Sequence, residues 1–215
     1  MSSSAAACAT ALINEARGTL IPPPPVYEER DITGEAPRIG VFICHCGLNI
    51  AGVIDVEAVC EYTKTLPNVA YAARALFTCS TDHQKEIKRV IDEYKLNRVV
   101  VASCTPRTHE PLFRSTLREG GLNGYLFELA NIREQDAWVH MQEPASATEK
   151  AKDLVRMSVA RAALLEPLSD FTYQVVQRGL VIGGGLSGLS AAQAIADQGF
   201  PAVLVEMSGE LGGNA

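Results

Sequence analysis

The chain has 215 residues and a net charge of −6, with 47% hydrophobic and 20% charged residues. This length allows one or two domains with hydrophobic cores, and an acidic chain without a Lys/Arg cluster argues against nucleic-acid binding. No apolar run approaches the roughly 18 residues that span a bilayer, and the N-terminus lacks the basic and apolar regions of a secretory signal. We therefore expect neither a membrane span nor a nucleic-acid surface.

Residues 1–37 are predicted to form an N-terminal arm. The arm starts with a Ser/Ala-rich stretch and contains a proline run at residues 22–25. Because a proline run favours extended polyproline structure and cannot join a helix, we expect the arm to lie over another surface or to be partly mobile.

Residues 38–144 alternate between apolar strands and amphipathic helices. Asp55 and Ser80 are placed to cap the first two helices, and Pro106 lies in the first turn of the third. This alternation predicts an α/β domain with a parallel sheet and helices on its faces. The predicted strands are 39–44, 68–77, 98–102 and 125–129.

A linker region, residues 145–178, follows this domain. Apolar residues recur at helical spacing from 145 to 165, which predicts one long helix that Pro167 ends. Residues 179–215 then begin a new unit, with a strand–helix–strand order typical of the first βαβ unit of a Rossmann-type nucleotide-binding domain. Its predicted elements are a strand at 180–182, a helix at 187–198 and a strand at 202–205.

A glycine-rich turn joins the first strand of this unit to its helix. Gly183, Gly185 and Gly188 fit the G-x-G-x-x-G fingerprint in the required position. The first glycine allows a tight turn, the second lets backbone approach a pyrophosphate, and the third lets the helix pack closely on the strand. Leu186 and Ser187 complete the site at the helix N-terminus, which faces the phosphates.

An acid follows the second strand of the same unit. Glu206 lies 18 residues after Gly188, where a carboxylate accepts hydrogen bonds from an adenosine ribose. The alternative interpretation is a glycine-rich turn in an ordinary α/β unit. The combination of strand, glycines, helix, second strand and acid argues against that alternative.

Four cysteines follow the ends of predicted strands. Cys44 and Cys46 form a C-H-C-G motif after the first strand, Cys79 follows the second, and Cys104 follows the third. Because the carboxyl ends of parallel strands share one edge, the four thiols can converge on one site. Four thiolates suit a [4Fe–4S] cluster or a tetrahedral zinc. The spacing matches neither ferredoxin motifs nor zinc ribbons, so it leaves cluster, zinc and unligated thiols open.

The remaining candidates near these ligands have simpler interpretations. Cys60 falls on the apolar face of a helix and is expected to be a small core side chain. Cys8, in the arm, is expected to be a free thiol. His45 lies between two candidate ligands, where it either hydrogen-bonds to sulfur or is an ordinary solvent-facing imidazole, and the sequence favours neither.

The chain also resembles a known family. The resemblance is to the N-terminal region of the A subunit of heterodisulfide reductase and the start of its FAD domain, in the same order, over residues 38–215. In two-dinucleotide-binding-domain flavoproteins the ribose-binding acid is followed by a second glycine pair, which Gly212 and Gly213 match, so FAD is favoured over NAD. The similar segments are RIGVFICHCGLNIAGVIDVEAV, LFTCSTDHQ, NRVVVASCTPRTHEPLF, ELANIREQDAWVH, EKAKDLVRMSVARAALLEPL and VIGGGLSGLSAA.

This resemblance implies a cytoplasmic iron–sulfur flavoprotein, an oxidoreductase component that is active within a complex. It implies that a [4Fe–4S] cluster, not zinc, is carried by Cys44, Cys46, Cys79 and Cys104. The implied partners are heterodisulfide-reductase-like B and C subunits, together with an electron donor of the hydrogenase or formate dehydrogenase type. The flavin would split or merge electron pairs, and no catalytic residue is assigned to this chain.

The sequence departs from the family pattern at both ends. A 37-residue arm precedes the usual start, and the rest of the flavin domain and the ferredoxin-type cysteine modules do not follow. We expect a further polypeptide to complete the flavin site, the chain being either a split subunit or a truncated product. The alternative function is a non-catalytic assembly module with a structural metal, zinc or cluster, and an unoccupied nucleotide loop. An NAD-dependent dehydrogenase is disfavoured because no substrate domain follows.

Overall fold

A computed structural model describes residues 2–16, 18–19, 21–23 and 25–213. They form two compact units, one of residues 26–169 and one of the described parts of residues 1–25 and 170–215. The strands are β1 (Ile39–Cys44), β2 (Val69–Ala75), β3 (Arg98–Ser103), β4 (Phe127–Asn131), β5 (Gly179–Ile182) and β6 (Ala202–Val205). The α-helices are α1 (Ser2–Leu12), α2 (Leu48–Ala51), α3 (Val56–Lys64), α4 (Thr81–Glu93), α5 (Pro106–Glu119), α6 (Pro144–Ala162) and α7 (Leu186–Asp197).

The unit of residues 26–169 is built on a four-stranded parallel sheet in the order β2-β1-β3-β4. The chain adds β2 on one side of β1 and β3 on the other, so the carboxyl ends of β1 and β3 flank a switch in strand order. Every residue of β1 and β3 is buried, because helices cover both faces of the sheet. The predicted α/β fold with a parallel sheet is confirmed.

Two hydrophobic clusters fill the space between this sheet and its helices. Neighbouring residues on β1 point to opposite faces, so Val41 packs in the cluster that includes α3 and α6. Phe42 packs in the cluster that includes α4 and α5. The helix α6 lies against the sheet through small buried side chains, among them Ala147 and Ala151, which allow a close approach.

The predicted helix starts are confirmed in this unit. The side chain of Asp55 accepts a backbone hydrogen bond at 3.0 Å at the start of α3, and Ser80 Oγ accepts one at 3.3 Å at the start of α4. Pro106 begins α5. Cys60 is buried on α3 and lies in the core, as expected for a small apolar side chain.

Two predicted boundaries are wrong. The fourth strand, predicted at 125–129, lies at Phe127–Asn131, because pairing with β3 puts Phe127 opposite Val99. The helix α6 ends at Ala162 and not at 165. The carbonyl oxygen of Leu165 instead accepts a hydrogen bond from Arg98 at 2.9 Å. In both places a partner that is distant in sequence accompanies the end of the element.

The first part of the arm contains a helix that the predicted arm does not include. The stretch Ser2–Leu12 forms α1, since alanine has the highest helix propensity, and a short 3-10 turn follows at Asn14–Ala16. In the proline run, residues 22, 23 and 25 lie in no helix or strand, as expected. Pro24 lies outside the described residues.

The second part of the arm, residues 26–37, lies against the sheet unit. The Arg30 backbone N–H donates to the carbonyl oxygen of Gly121 at 2.8 Å, and its guanidinium donates to that of Leu96 at 2.9 Å. The side-chain amide of Asn97 donates to the carbonyl oxygen of Ala36 at 2.9 Å. The expectation that the arm covers another surface is therefore confirmed for these residues.

The second unit contains the predicted βαβ arrangement. The strands β5 and β6 are parallel neighbours, and α7 connects them. Along both strands, half-buried residues alternate with exposed ones, and Ile182 is 81% exposed. Residues 214 and 215, at the end of the predicted unit, lie outside the described residues. In the described part of the chain, no helix combines the length and the apolarity needed to cross a membrane.

Candidate functional site

The four predicted cysteine ligands lie at the carboxyl ends of three adjacent strands. Cys44 is the last residue of β1 and Cys46 comes two residues later, while Cys79 lies in the turn after β2 and Cys104 directly follows β3. Cys44 and Cys104 are buried, and the other two are half-buried. The parallel topology thus puts all four at one edge of the sheet, around the switch in strand order.

The turn after β1 is tight and unusual in its backbone. Cys46 has a φ of 48° and Gly47 a φ of 57°, and a non-glycine residue in this left-handed region is strained. The His45 N–H donates to the carbonyl oxygen of Ala75 at 2.8 Å, which continues the pairing of β1 with β2. Such strain persists where the surroundings hold it, and it is common at functional sites.

Backbone N–H groups point at the sulfur of Cys44. The Cys46 N–H lies 3.3 Å from Cys44 Sγ, and the Thr78 N–H lies 3.4 Å from it. Thr78 is buried and precedes Cys79, so the turn after β2 supplies both a hydrogen-bond donor and a candidate ligand. Donors of this kind stabilise a thiolate and tune metal–thiolate sites.

An arginine that follows β4 reaches the same edge. The Arg133 guanidinium donates to Cys46 Sγ at 3.1 Å and to the Glu134 carboxylate at 2.7 Å, and it lies 5.0 Å from the centre of the Trp138 ring. Burial works against the charged form, but the hydrogen bonds to Glu134 and Cys46 outweigh it and raise the pKa of Arg133. A permanent positive charge therefore lies beside Cys46.

The other thiols also respond to their neighbours. Burial raises the pKa of Cys79, and the nearby Cys44 and Cys46 raise it further, whereas the charge of Arg133 lowers it. Burial likewise raises the pKa of Cys104, and Arg133 again opposes this. The guanidinium of Arg133 thus acts on three of the four cysteines.

These thiols share an edge but do not surround one point. Among residues 2–16, 18–19, 21–23 and 25–213, no three or more His, Cys, Asp or Glu side chains form a group that could hold a metal ion. The chemistry of the edge nevertheless suits negatively charged sulfur ligands, since two backbone N–H groups and one guanidinium donate to sulfur. The residues present therefore fit a thiolate-bound group.

The sequence interpretation missed Arg133 and Glu134. It applied the sheet-edge rule to cysteines alone, and it ended the fourth strand two residues early, which hid that Arg133 follows β4 as Cys46 follows β1. A second sign is structural: the stretch Arg133–Ala137 is a π-helical turn, a feature common at functional sites.

In the second unit, the glycine fingerprint joins β5 to α7 as predicted. Gly183 has a φ of 104°, and a Cβ on Gly188 would lie 1.8 Å from the Gly183 carbonyl oxygen, so neither position accepts a side chain. No atom lies within 4 Å of a Cβ built on Gly185, which leaves the loop open where a pyrophosphate would approach. Gly185 caps α7 without a side-chain bond, so the N–H groups of Leu186 and Ser187 lack helical partners.

Glu206 and the second glycine pair hold this loop. The Glu206 carboxylate accepts the Ser208 N–H at 2.8 Å and the Gly184 N–H at 2.5 Å, and these bonds lower the pKa of Glu206 to about 2. The acid is therefore ionised at neutral pH and accepts hydrogen bonds. The Gly212 N–H donates to the Gly184 carbonyl oxygen at 2.8 Å, and a Cβ on Gly213 would lie 3.1 Å from the Gly185 Cα. That contact between the two glycine motifs was not predicted.

Comparison with known proteins gives the family of the chain. A family model described as an NAD(P)-binding Rossmann-like domain matches residues 181–215. The chain is 58% identical over 179 residues, 83% of its length, to the second of two iron–sulfur A subunits of CoB–CoM heterodisulfide reductase in Methanopyrus kandleri. The chain belongs to the family of heterodisulfide reductase A subunits. The expected family and the Rossmann-type unit are confirmed.

Other members of the family give a similar result. The chain is 54% identical over 86% of its length to the A subunit of the H2:CoB–CoM heterodisulfide,ferredoxin reductase of Methanothermobacter thermautotrophicus. It is 52% identical over 84% of its length to a protein of Archaeoglobus profundus that is named as similar to the A subunit of heterodisulfide reductase. The matched region spans only 26–29% of the length of these three relatives.

Proposed function

We propose that this chain transfers electrons in a heterodisulfide-reductase-like complex. Cys44, Cys46, Cys79 and Cys104 would hold a [4Fe–4S] cluster. The observation that carries the proposal is the convergence of these four cysteines at one sheet edge, with N–H and guanidinium donors directed at sulfur. A relative named as an iron–sulfur subunit supports the cluster. Such a cluster, once bound, supplies transfer of single electrons.

The glycine loop would hold the ADP part of an FAD. Leu186, Ser187 and the fingerprint glycines would face the pyrophosphate, and the ionised Glu206 would accept hydrogen bonds from the ribose. The pair Gly212 and Gly213 supports the shape of the loop from the opposite side. A flavin converts between one-electron and two-electron steps, which splitting or merging electron pairs requires.

The flavin site would be completed by further polypeptide, in the same chain or in a partner. Leu180 is 64% exposed and Ile182 is 81% exposed, an unusual state for apolar residues of a Rossmann strand, and the relatives are far longer than the matched region. The proposed organisation is an arm at 1–37, a cysteine domain at 38–144, a linker at 145–178 and the start of the FAD domain at 179–215.

The names of relatives suggest the classes of partner. One is named for H2 and ferredoxin, and one from Methanosarcina acetivorans is named as dependent on ferredoxin or F420H2. We propose a cytoplasmic assembly with heterodisulfide-reductase-like B and C subunits. A hydrogenase or formate dehydrogenase type of protein would donate the electrons.

The cluster is tested by metal analysis of the full chain purified without oxygen. We expect about four irons and matching sulfide per chain. Cys79→Ser should lower the iron content, whereas Cys60→Ser, which changes a buried cysteine away from the edge, should leave iron in place. Zinc in place of iron, or equal iron loss in both variants, would contradict the cluster assignment.

A second candidate function is a non-catalytic assembly module with a structural metal and an unoccupied nucleotide loop. The observation that favours it is that Glu206 is already held by Gly184 and Ser208 within the loop. This candidate predicts that Cys79→Ser unfolds the domain but leaves electron flux unchanged in any complex that still assembles. The electron-transfer proposal predicts lost flux in a complex that assembles.

A further inference from the structure

Arg133 is fixed in place more firmly than an ordinary surface arginine. Its side chain is 19% exposed, and its Nε and Nη2 atoms both donate to Glu134 Oε1, at 3.1 and 2.7 Å. Its guanidinium also lies against the Trp138 ring. These contacts use the other donors of the planar fork and direct Nη1 at Cys46 Sγ, 3.1 Å away.

We propose that Arg133 raises the reduction potential of the group that the four cysteines hold, by stabilising its reduced state. This inference rests on the proposed function. Reduction adds one electron from an external reductant, so the negative charge at the sulfur ligands grows by one and no covalent bond forms or breaks. A hydrogen bond and a positive charge at a ligand sulfur stabilise the more negative state more strongly.

The position of Arg133 suits this role better than that of other cations at the same edge. Its charge contacts Cys46 and reaches Cys79 and Cys104. Arg107 also follows a strand end, three residues after Cys104, but its side chain is exposed and, among the described contacts, donates to no thiol. Arg107 is therefore a matched control that carries the same charge without the hydrogen bond.

Glu134 opposes Arg133 in the same arrangement. One carboxylate oxygen accepts from Arg133, and the other, Oε2, is buried with no hydrogen-bond partner in the described part of the chain. Its negative charge raises the pKa of Cys104, opposite in sign to the effect of Arg133. Removing the charge of Glu134 should therefore raise the reduction potential, whereas removing that of Arg133 should lower it.

The test is a redox titration of the anaerobically purified full chain, with dithionite as reductant and electron paramagnetic resonance as readout. The variants are Arg133→Gln, Arg133→Lys, Glu134→Gln and Arg107→Gln. For Arg133→Gln we expect about a tenfold weaker preference for the reduced state, which is about 59 mV for one electron. Arg133→Lys should fall between Arg133→Gln and wild type, Glu134→Gln should shift upward, and Arg107→Gln should match wild type.

The outcomes separate this inference from the proposed function. A wild-type chain that binds no iron contradicts both. A loaded wild-type chain with the same potential as Arg133→Gln overturns the role of Arg133 alone, as does an equal fall in Arg107→Gln or a downward shift in Glu134→Gln. If Arg133→Gln loses its iron, Arg133→Lys decides: a lowered potential supports the inference and an unchanged one overturns it.

Discussion

The strands β1 and β5 are alike in sequence and very different in surroundings. Both are short apolar runs that lead into a candidate ligand loop. All of β1 is buried between two neighbouring strands and two helical layers, whereas in the described residues β5 has β6 beside it and α7 above it. An apolar run therefore shows that a strand is suited to burial, and its neighbours decide whether it is buried.

The two units also treat carboxylates in opposite ways. Asp136, in the first unit, is fully buried, and burial raises its pKa to about 6, against the charges of Lys150 and His140. Glu206, in the second, accepts hydrogen bonds from Ser208 and Gly184 that lower its pKa to about 2. Burial without donors disfavours the charge, and donation from N–H groups favours it.

The largest expected difference between the units comes from one substitution made in both. Ile43→Ala removes a fully buried side chain and should cost about 2–5 kcal/mol of unfolding free energy. Ile182→Ala removes a side chain that is 81% exposed and should cost about 0.5 kcal/mol or less. Urea unfolding followed by circular dichroism measures both, with Trp138 fluorescence reporting on the first unit. Equal losses would mean that β5 is covered in solution.

The buried carboxylate predicts a pH dependence of the first unit. Because the pKa of Asp136 is raised from 3.8 to about 6, folding stability is fully present below pH 3.8 and falls as pH rises through 6. A difference of this size between the folded and unfolded pKa corresponds to about 3 kcal/mol. Asp136→Asn should remove this dependence.

The measurement is the unfolding free energy of wild type and Asp136→Asn between about pH 4 and pH 7. The contribution of Glu206 has the opposite sign, since its lowered pKa gives stability above pH 4.5 that is lost as pH falls through about 2. Glu206→Gln should therefore leave the change between pH 4.5 and 7 in place. An Asp136→Asn variant with the wild-type profile would rule out Asp136 as its source.

A smaller effect is expected at the glycine loop of the second unit. A Cβ on Gly188 would lie 1.8 Å from backbone, whereas one on Gly209 meets no atom within 4 Å. Gly188→Ala should cost about 1–3 kcal/mol in the geometry of the loop and weaken FAD binding by about 10- to 100-fold. Titration of the assembled complex with FAD measures this, and Gly209→Ala should bind as wild type. Similar affinities for both variants would argue against FAD at this loop.

The smallest effect concerns helix caps. Asp55→Ala removes the side chain that accepts a hydrogen bond at the start of α3 and should cost about 1 kcal/mol. Ser187→Ala, at the start of α7, removes no cap bond and should change stability by less than about 0.5 kcal/mol. Thermal unfolding compares them, and a larger loss for Ser187→Ala would reverse the expected order.

Much of the fold could be predicted because its signals are local. Asp55 and Ser80 cap their helices through residues three positions away, and the fingerprint glycines act within one turn. The grouping of cysteines at one edge also followed from sequence, since every parallel strand ends on the same side. The start of β4 could not be predicted in the same way, because its pairing with Val99 sets it.

The sequence by itself determined the alternation of strands and helices, the helix caps, the glycine fingerprint and the sheet edge that carries the cysteines. Each of these depends on neighbours within a few residues or on a rule that holds for any parallel sheet. The tertiary structure alone decided that Arg133 contacts Cys46, that Gly212 pairs with Gly184, and that β1 is buried where β5 is exposed. Those contacts join residues far apart in the chain, so the packing of whole elements sets them.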